Sequence, residues 1–179
     1  MLFNKIDTAI RLIVWNYFIK YLPGFALRKV LFRIILKNQI SWSSSLHTGL
    51  DIFYTSGIRI GKNSVVSKYV ALDGRGGLTI GDNVSISAYT KILTASHDPD
   101  SSDFKYITKP VVIEDYVWIG TGALIMPGVT LKKGCVVAAG SVVTKDVGAY
   151  HIVGGNPTRI IRERSHELTY NPFWEPWHQ

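Results

Sequence analysis

From Ile113 onward an aliphatic residue returns every six positions, as Ile113, Ile119, Ile125, Leu131, Val137 and Val143. The same count from Ile60 gives Ile60, Val66 and Leu72, and from Ile80 it gives Ile80, Ile86 and Ile92. Four residues after ten of these positions stands a small or β-branched one: Ser64, Val70, Val84, Thr90, Val117, Ala123, Val129, Cys135, Ser141 and Val147. Turn-formers such as Gly61-Lys62-Asn63 and Gly81-Asp82-Asn83 fill the intervals. A period of six fits neither an α-helix nor a hairpin series. It predicts a coil in which each hexapeptide makes one short strand and one corner, with the aliphatic pointing inward onto its counterpart in the next turn. Three hexapeptides close one triangular turn. Cys135 falls at a small inward position, so its expected role is structural.

The repeat stops between Ile92 and Ile113. A regular solenoid has smooth faces and no pocket, so an interruption of this kind predicts a loop pushed out of a coil, here residues 94–109. That loop carries His97 among Asp98, Asp100 and Asp103. Neutral imidazole is the side chain best suited to take a proton near pH 7. Any of the three aspartates could hold its tautomer. The run "DPDSSD" lacks the glycine and the bidentate glutamate of a calcium loop, and His47, His151, His166 and His178 show no metal-ligand spacing with His97. No metal is expected.

The formal charge of +7 is unevenly spread. Residues 1–40 hold Lys5, Arg11, Lys20, Arg28, Lys29, Arg33 and Lys37 against Asp7 alone, while the rest of the chain is nearly neutral. Basic residues do not alternate with aromatics along a stripe, which argues against nucleic acid. The segment reads as two helices, Ile6 to Leu22 and Phe25 to Leu36, parted by Pro23-Gly24. Its longest uncharged run, Leu12 to Ile19, is far short of a membrane span. Two readings follow. In one, Ile10, Ile13, Val14 and Tyr17 are buried against the folded oligomer. In the other, Trp15, Phe18, Phe25 and Phe32 lay the helices on an anionic membrane face. One cysteine excludes an intrachain disulfide and suits a reducing, cytoplasmic compartment.

The stretch "PVVIEDYVWIGTGALIMPGVTLKKGCVVAAGSVVTK" from Pro110 to Lys145, followed by "DV" and "GGNPTRIIR", resembles the hexapeptide-repeat acyltransferases. Within them it is similar to the sugar O-acetyltransferase branch, which includes maltose, galactoside and surface-polysaccharide acetyltransferases. The resemblance implies a left-handed parallel β-helix and a homotrimer using acetyl-CoA, with active sites between subunits. Taken with the charge and the repeat, the chain divides into an N-terminal helical segment (1–40), a β-helix (41–155) with its extruded loop, and a C-terminal helix and aromatic tail (156–179).

It also implies roles. His97 matches the catalytic base. Trp118 and Thr121 match residues lining the acetyl end and pantetheine groove, Ala139 a small residue beside the pantetheine, and Thr144 and Lys145 the pair at its farther end. Arg159 and Arg162 would meet the nucleotide phosphates, which suit a bidentate guanidinium. Ser67 stands where galactoside acetyltransferases place a substrate-contacting asparagine, and Asp98 is a further candidate for the acceptor. The reaction implied is acetyl transfer to a sugar hydroxyl in surface-polysaccharide or glycan-precursor biosynthesis. Transfer to an amine, or a noncatalytic trimeric scaffold, are the alternatives. Phe173, Trp174 and Trp177 in the tail are expected to pack on a neighbouring subunit or on the N-terminal helices.

Overall fold

The structure, a computed structural model, describes residues 2–173 of the chain. Strands of two or three residues follow one another around a triangle, and each lies parallel to its equivalent in the next turn. The first face contains β1 (Gln39–Ile40), β4 (Ile58–Ile60), β7 (Leu78–Ile80), β12 (Val111–Ile113) and β15 (Thr130–Leu131). The second contains β2 (Ser45–Leu46), β5 (Val65–Val66), β8 (Ser85–Ile86), β13 (Trp118–Ile119), β16 (Val136–Val137), β18 (His151–Gly155) and β19 (Thr158–Glu163). The third contains β3 (Asp51–Ile52), β6 (Ala71–Leu72), β9 (Lys91–Ile92), β14 (Leu124–Ile125) and β17 (Val142–Val143).

All twelve predicted inward aliphatics are buried, and so are the ten small or β-branched residues that follow them. Their register makes columns: Ile40 on Ile60, then Ile80, Ile113 and Leu131, in steps of 20, 20, 33 and 18 residues. Each aliphatic removed from water stabilises by about 2 kcal/mol, and together they form one continuous core cluster. The column begins one coil earlier than the sequence count. Ile40, Leu46 and Ile52 keep the period of six but are separated from Ile60 by two extra residues in the corner. At the corner after the second face, Gly49, Tyr69, Tyr89, Gly122 and Gly140 all have left-handed backbone, with φ of 77, 59, 62, 69 and 68°. Glycine adopts that conformation freely. The tyrosines adopt it against their preference and stack on each other at 5.3 Å.

A parallel solenoid ends on an unpaired edge, because the first coil has no neighbour below it. Helices α1 (Leu2–Tyr17) and α2 (Phe25–Ile34), with a 3-10 turn at Ile19–Tyr21, close this edge. Their side chains supply the missing partners. Asn16 bonds both the N–H and the carbonyl of Ile52, at 3.0 and 2.8 Å. Trp15 Nε1 donates to the Leu50 carbonyl, Arg28 Nε to Leu46, Lys29 to Trp42 and Arg33 to Ile40. Much of the basic N-terminal charge is therefore an edge cap. Trp15 and Phe32 are fully buried in edge contact, and Phe25 is buried too, so these three do not face outward. Ile10, Ile13 and Tyr17, which the packing reading buries, are exposed. Val14 is partly buried against the core and Phe18 is exposed, so each reading holds for one of its named residues and fails for the other three.

Residues 158–163 form β19, antiparallel to β18, and not the helix expected after Pro157. The strand forms because β18 leaves its outer edge open and Thr158–Glu163 pairs with it. Beyond it the chain runs back along the solenoid. Arg164 donates to the carbonyls of Tyr116 and Gly134, and the Tyr170 hydroxyl donates to Tyr116 at 2.9 Å. The Phe173 ring lies 5.8 Å from Lys29 Nζ on α2. Trp174 and Trp177 lie outside the described residues.

Candidate functional site

The interruption after β9 becomes a projecting hairpin of β10 (Ala95–His97) and β11 (Tyr106–Thr108), with His97 paired opposite Tyr106. Its root is fixed from below. Asp73 is fully buried and accepts from the Thr94 N–H at 2.9 Å and from the Arg75 fork at 2.8 and 2.9 Å. Burial alone would raise this carboxyl. The Arg75 guanidinium and the N–H groups of Thr94 and Arg75 outweigh burial and hold it below its ordinary value of 3.8. The Arg75 guanidinium also interacts with the Tyr106 side chain on β11.

His97 is exposed at the end of β10. Its Nδ1 lies 2.7 Å from the Phe104 carbonyl, and its ring stacks on Phe104 at 3.9 Å and meets Tyr106 edge-on. Phe104 has φ of 52°, an uncommon conformation for a bulky residue that costs roughly 1 kcal/mol. None of the three aspartates orients the imidazole among the described contacts. Asp98 accepts from the Asp100 N–H and Asp103 from the Ser101 hydroxyl, which shapes the hairpin tip.

Around the triangle the predicted residues fall into two groups. In register across the second face stand Trp118, Val136, Ile152 and Arg162. One position group further along are Thr121 and Ala139, exposed at the corner, with Arg159 opposite Gly154 at the far end. Ser67 belongs to the same wall, near its N-terminal end. Beyond Tyr69 and Tyr89 this corner becomes bare. A Cβ on Gly122 or Gly140 would meet nothing within 4 Å, whereas one on Gly49 would strike Tyr69. Trp118 is half exposed, and its Nε1 lies 3.3 Å from Ser87 Oγ. With Ser85, Arg164, Tyr170 and Pro172 it lines a cleft of about 210 Å³. Arg164 and Tyr170 went unnoticed in the sequence, where the only signal was an aromatic tail of unknown course.

The second group stands at the next corner. Thr144 and Lys145 follow β17 there, exposed, on the same edge from which the hairpin carrying His97 and Asp98 projects. The whole third face separates this edge from the Trp118 wall. A larger groove of about 710 Å³ lies under α2 on the first face, lined by Arg33, Gln39, Arg59 and Thr79 among others, and includes none of the predicted residues. Among the described residues there is no group of three or more His, Cys, Asp or Glu that could hold a metal ion.

Residues 110–145 match the family model described as bacterial transferase hexapeptide (six repeats). A hexapeptide-repeat acetyltransferase of Vibrio cholerae, solved with acetyl coenzyme A, is 36% identical; the match covers 87% of this chain and 84% of that one, with a TM-score of 0.75. The chain belongs to the hexapeptide-repeat acetyltransferase family. Another member, a galactoside acetyltransferase solved with coenzyme A, shares the fold at a TM-score of 0.77 and 26% identity over 94% of this chain and 86% of that one. WcaF of Escherichia coli (strain K12), assigned by name to colanic acid biosynthesis, is 35% identical over 119 residues, 66% of this chain and 65% of its own. This chain spans about half to two thirds of the length of the first curated relatives it matches. In such a solenoid, chemistry must come from what projects or from what neighbouring solenoids enclose.

Proposed function

We propose that the chain is an acetyl-CoA-dependent O-acetyltransferase acting on a sugar hydroxyl in surface-polysaccharide or glycan-precursor biosynthesis, in the cytoplasm. The observation that carries the chemistry is the 2.7 Å bond between His97 Nδ1 and the Phe104 carbonyl. A carbonyl oxygen can only accept, so Nδ1 holds the hydrogen and the lone pair of the neutral ring lies on Nε2. That nitrogen is the general base. His97 Nε2 takes the proton of the acceptor hydroxyl as its oxygen bonds to the thioester carbonyl carbon. A backbone N–H at the enclosing wall stabilises the oxyanion. As the carbon–sulfur bond breaks, His97 returns the proton to the departing coenzyme A sulfur. The two-carbon unit ends as an ester and the histidine is neutral again.

The assembly we propose is a homotrimer with active sites between protomers. Two features support it: the base and the bare corner lie at opposite edges of the third face, and Thr121, Gly122, Ala139 and Gly140 at that corner are exposed, with open space over both glycines. A neighbouring copy would bring its His97 edge to this wall. Pantetheine would then run along Thr121 and Ala139, with Trp118 toward the acetyl end, Thr144 and Lys145 of the facing edge at its farther end, and Arg159 and Arg162 at the phosphates. Ser67 and Asp98 would face the acceptor.

The test is release of coenzyme A thiol from acetyl-CoA by wild type and His97→Ala, with panels of sugars and of amines, alongside the mass in solution by light scattering. Sugar-dependent release that collapses in the variant, from a trimer, is expected. Equal rates in the two proteins would remove His97 as base. Release with amines alone would move the acceptor class, and a monomer would remove the intersubunit site.

A further inference from the structure

We infer that the groove under α2 is a second ligand site, one that holds a phosphate ester. Its volume of about 710 Å³ is that of a small-molecule site. Gln39, Arg59 and Thr79 are the exposed residues of three successive strands on the first face, and they stand in register. Arg33 joins them from α2, with Asn38 and Ser41 at the two ends of β1. Ile40, Ile60 and Ile80 border the groove but are buried in the core. What the groove offers a ligand is therefore polar: two guanidinium groups, two amides and two hydroxyls.

Charge and donor type select the occupant. No acidic side chain lines the groove, and neither arginine has an ion-pair partner among the described residues. Asp82, at the Gly61 corner, already accepts from the Lys62 N–H. Arg33 is fixed by neutral contacts, since its Nε and Nη2 donate to the Ile40 carbonyl and its guanidinium lies 4.5 Å from the Trp42 ring centre. It is held in place with its charge unmatched. The exposed Arg59 side chain makes no hydrogen bond among the described residues. Asn38 is 4% exposed; its Oδ1 accepts from the Ile58 N–H, and its Nδ2 has no partner. An unmade buried donor is costly, and an occupant rich in acceptor oxygens answers it. Two guanidinium charges match a phosphate ester, which carries about −1.5 to −2 at pH 7, better than the single charge of a carboxylate. Arginine also grips phosphate oxygens with a two-pronged fork. The space is far larger than one phosphate group, so the remaining amide and hydroxyl donors would meet a polar body attached to it.

The groove shares a face with the root of the His97 hairpin. That hairpin rejoins the solenoid just before β12, whose Val112 is in register with Thr79. Activated sugars carry such a phosphate, and holding a glycan precursor by it would seat the precursor beside the candidate base. This role rests on the O-acetyltransferase reading, whereas the phosphate site itself does not.

The test is calorimetric titration of full-length protein with glucose 1-phosphate, glucuronate and glucose, and separately with coenzyme A. Wild type is expected to bind glucose 1-phosphate at least tenfold more tightly than glucuronate, with no measurable binding of glucose and with affinity falling as salt is raised. Arg59→Gln alters an exposed side chain outside the helical cap, so its melting temperature and its affinity for coenzyme A should be unchanged. Its affinity for glucose 1-phosphate should fall about tenfold, and Arg59→Lys should recover part of that loss by restoring the charge without the fork. Failure of wild type to bind glucose 1-phosphate, or equal binding by Arg59→Gln, would overturn the site. Glucuronate bound as tightly as glucose 1-phosphate would overturn the ligand class, and loss of coenzyme A binding in Arg59→Gln would show that this is not a second site. None of these readouts depends on acetyl transfer, so failure here is distinguishable from failure of the catalytic proposal.

Discussion

His97 Nδ1 and the Phe104 carbonyl oxygen lie 2.7 Å apart, seven residues from each other across one hairpin turn. The histidine is oriented by main chain, so no second acidic side chain is required for its tautomer. The hairpin that presents the ring also supplies its partner. Replacing His97 by Ala is expected to lower kcat by about 10²–10⁴, with the melting temperature nearly unchanged because the ring is exposed. Asp98→Asn, Asp100→Asn and Asp103→Asn, taken singly, should each change kcat less than tenfold, roughly a 1.4 kcal/mol limit. Steady-state kinetics on the four variants checks this.

The Asp73 carboxylate anchors the hairpin root, and its folded pKa is depressed below 3.8. A depressed carboxyl contributes stability that is complete above its unfolded value and disappears as pH falls through the folded one. Acid unfolding below about pH 4 should therefore be less steep in Asp73→Asn than in wild type. At neutral pH that variant should lose about 2 kcal/mol, a figure kept moderate because the Arg75 partner is one third exposed. Denaturant titrations at several pH values measure both.

Burial pushes the Cys135 thiol up to about 12, which leaves almost no thiolate at neutral pH. Native protein should resist iodoacetamide, and denatured protein should be alkylated at once. Cys135→Ala should cost about 1 kcal/mol for the small void it creates and leave kcat within twofold, as a melting curve and an assay would show.

Trp118, Arg159 and Arg164 sit on one wall, at its cleft and its far end. Trp118→Ala and Arg159→Ala should each raise KM for acetyl-CoA about tenfold, with the Arg159 effect fading in high salt. Calorimetric titration with coenzyme A separates these binding losses from losses in the chemical step.

The edge cap gives a prediction for folding alone. Asn16→Ala would leave the Ile52 N–H and carbonyl facing an edge with no partner. A loss of about 1–3 kcal/mol is expected, seen as a shift of the denaturation midpoint without a change in KM.

The solenoid was legible because its period is a local rule repeated many times. An inward aliphatic is needed wherever one turn stacks on the next, so Ile113 to Val143 carry the fold in their spacing. The first coil falls inside the β-helix segment that starts at residue 41, but the count of sixes begins only at Ile60, because two extra residues between Ile52 and Ile60 break the period there. The strand at Thr158–Glu163 was read as a helix because nothing in "TRIIRE" announces the open edge of β18 with which it pairs. The apolar residues of α1 could be identified but not sorted, since which stripe is inner depends on where the first coil lies.

The sequence by itself determined the coil, its interruption and the histidine placed there, because each follows from neighbours a few residues away. Tertiary structure decided what those residues face. It tied the imidazole to a carbonyl and not to an aspartate, set the Trp118 wall and the His97 edge on opposite sides of one face, and turned a basic segment into the cap of an unpaired edge. Such relations join residues distant along the chain, and a hydrogen bond or a buried face exists only once both partners are in place.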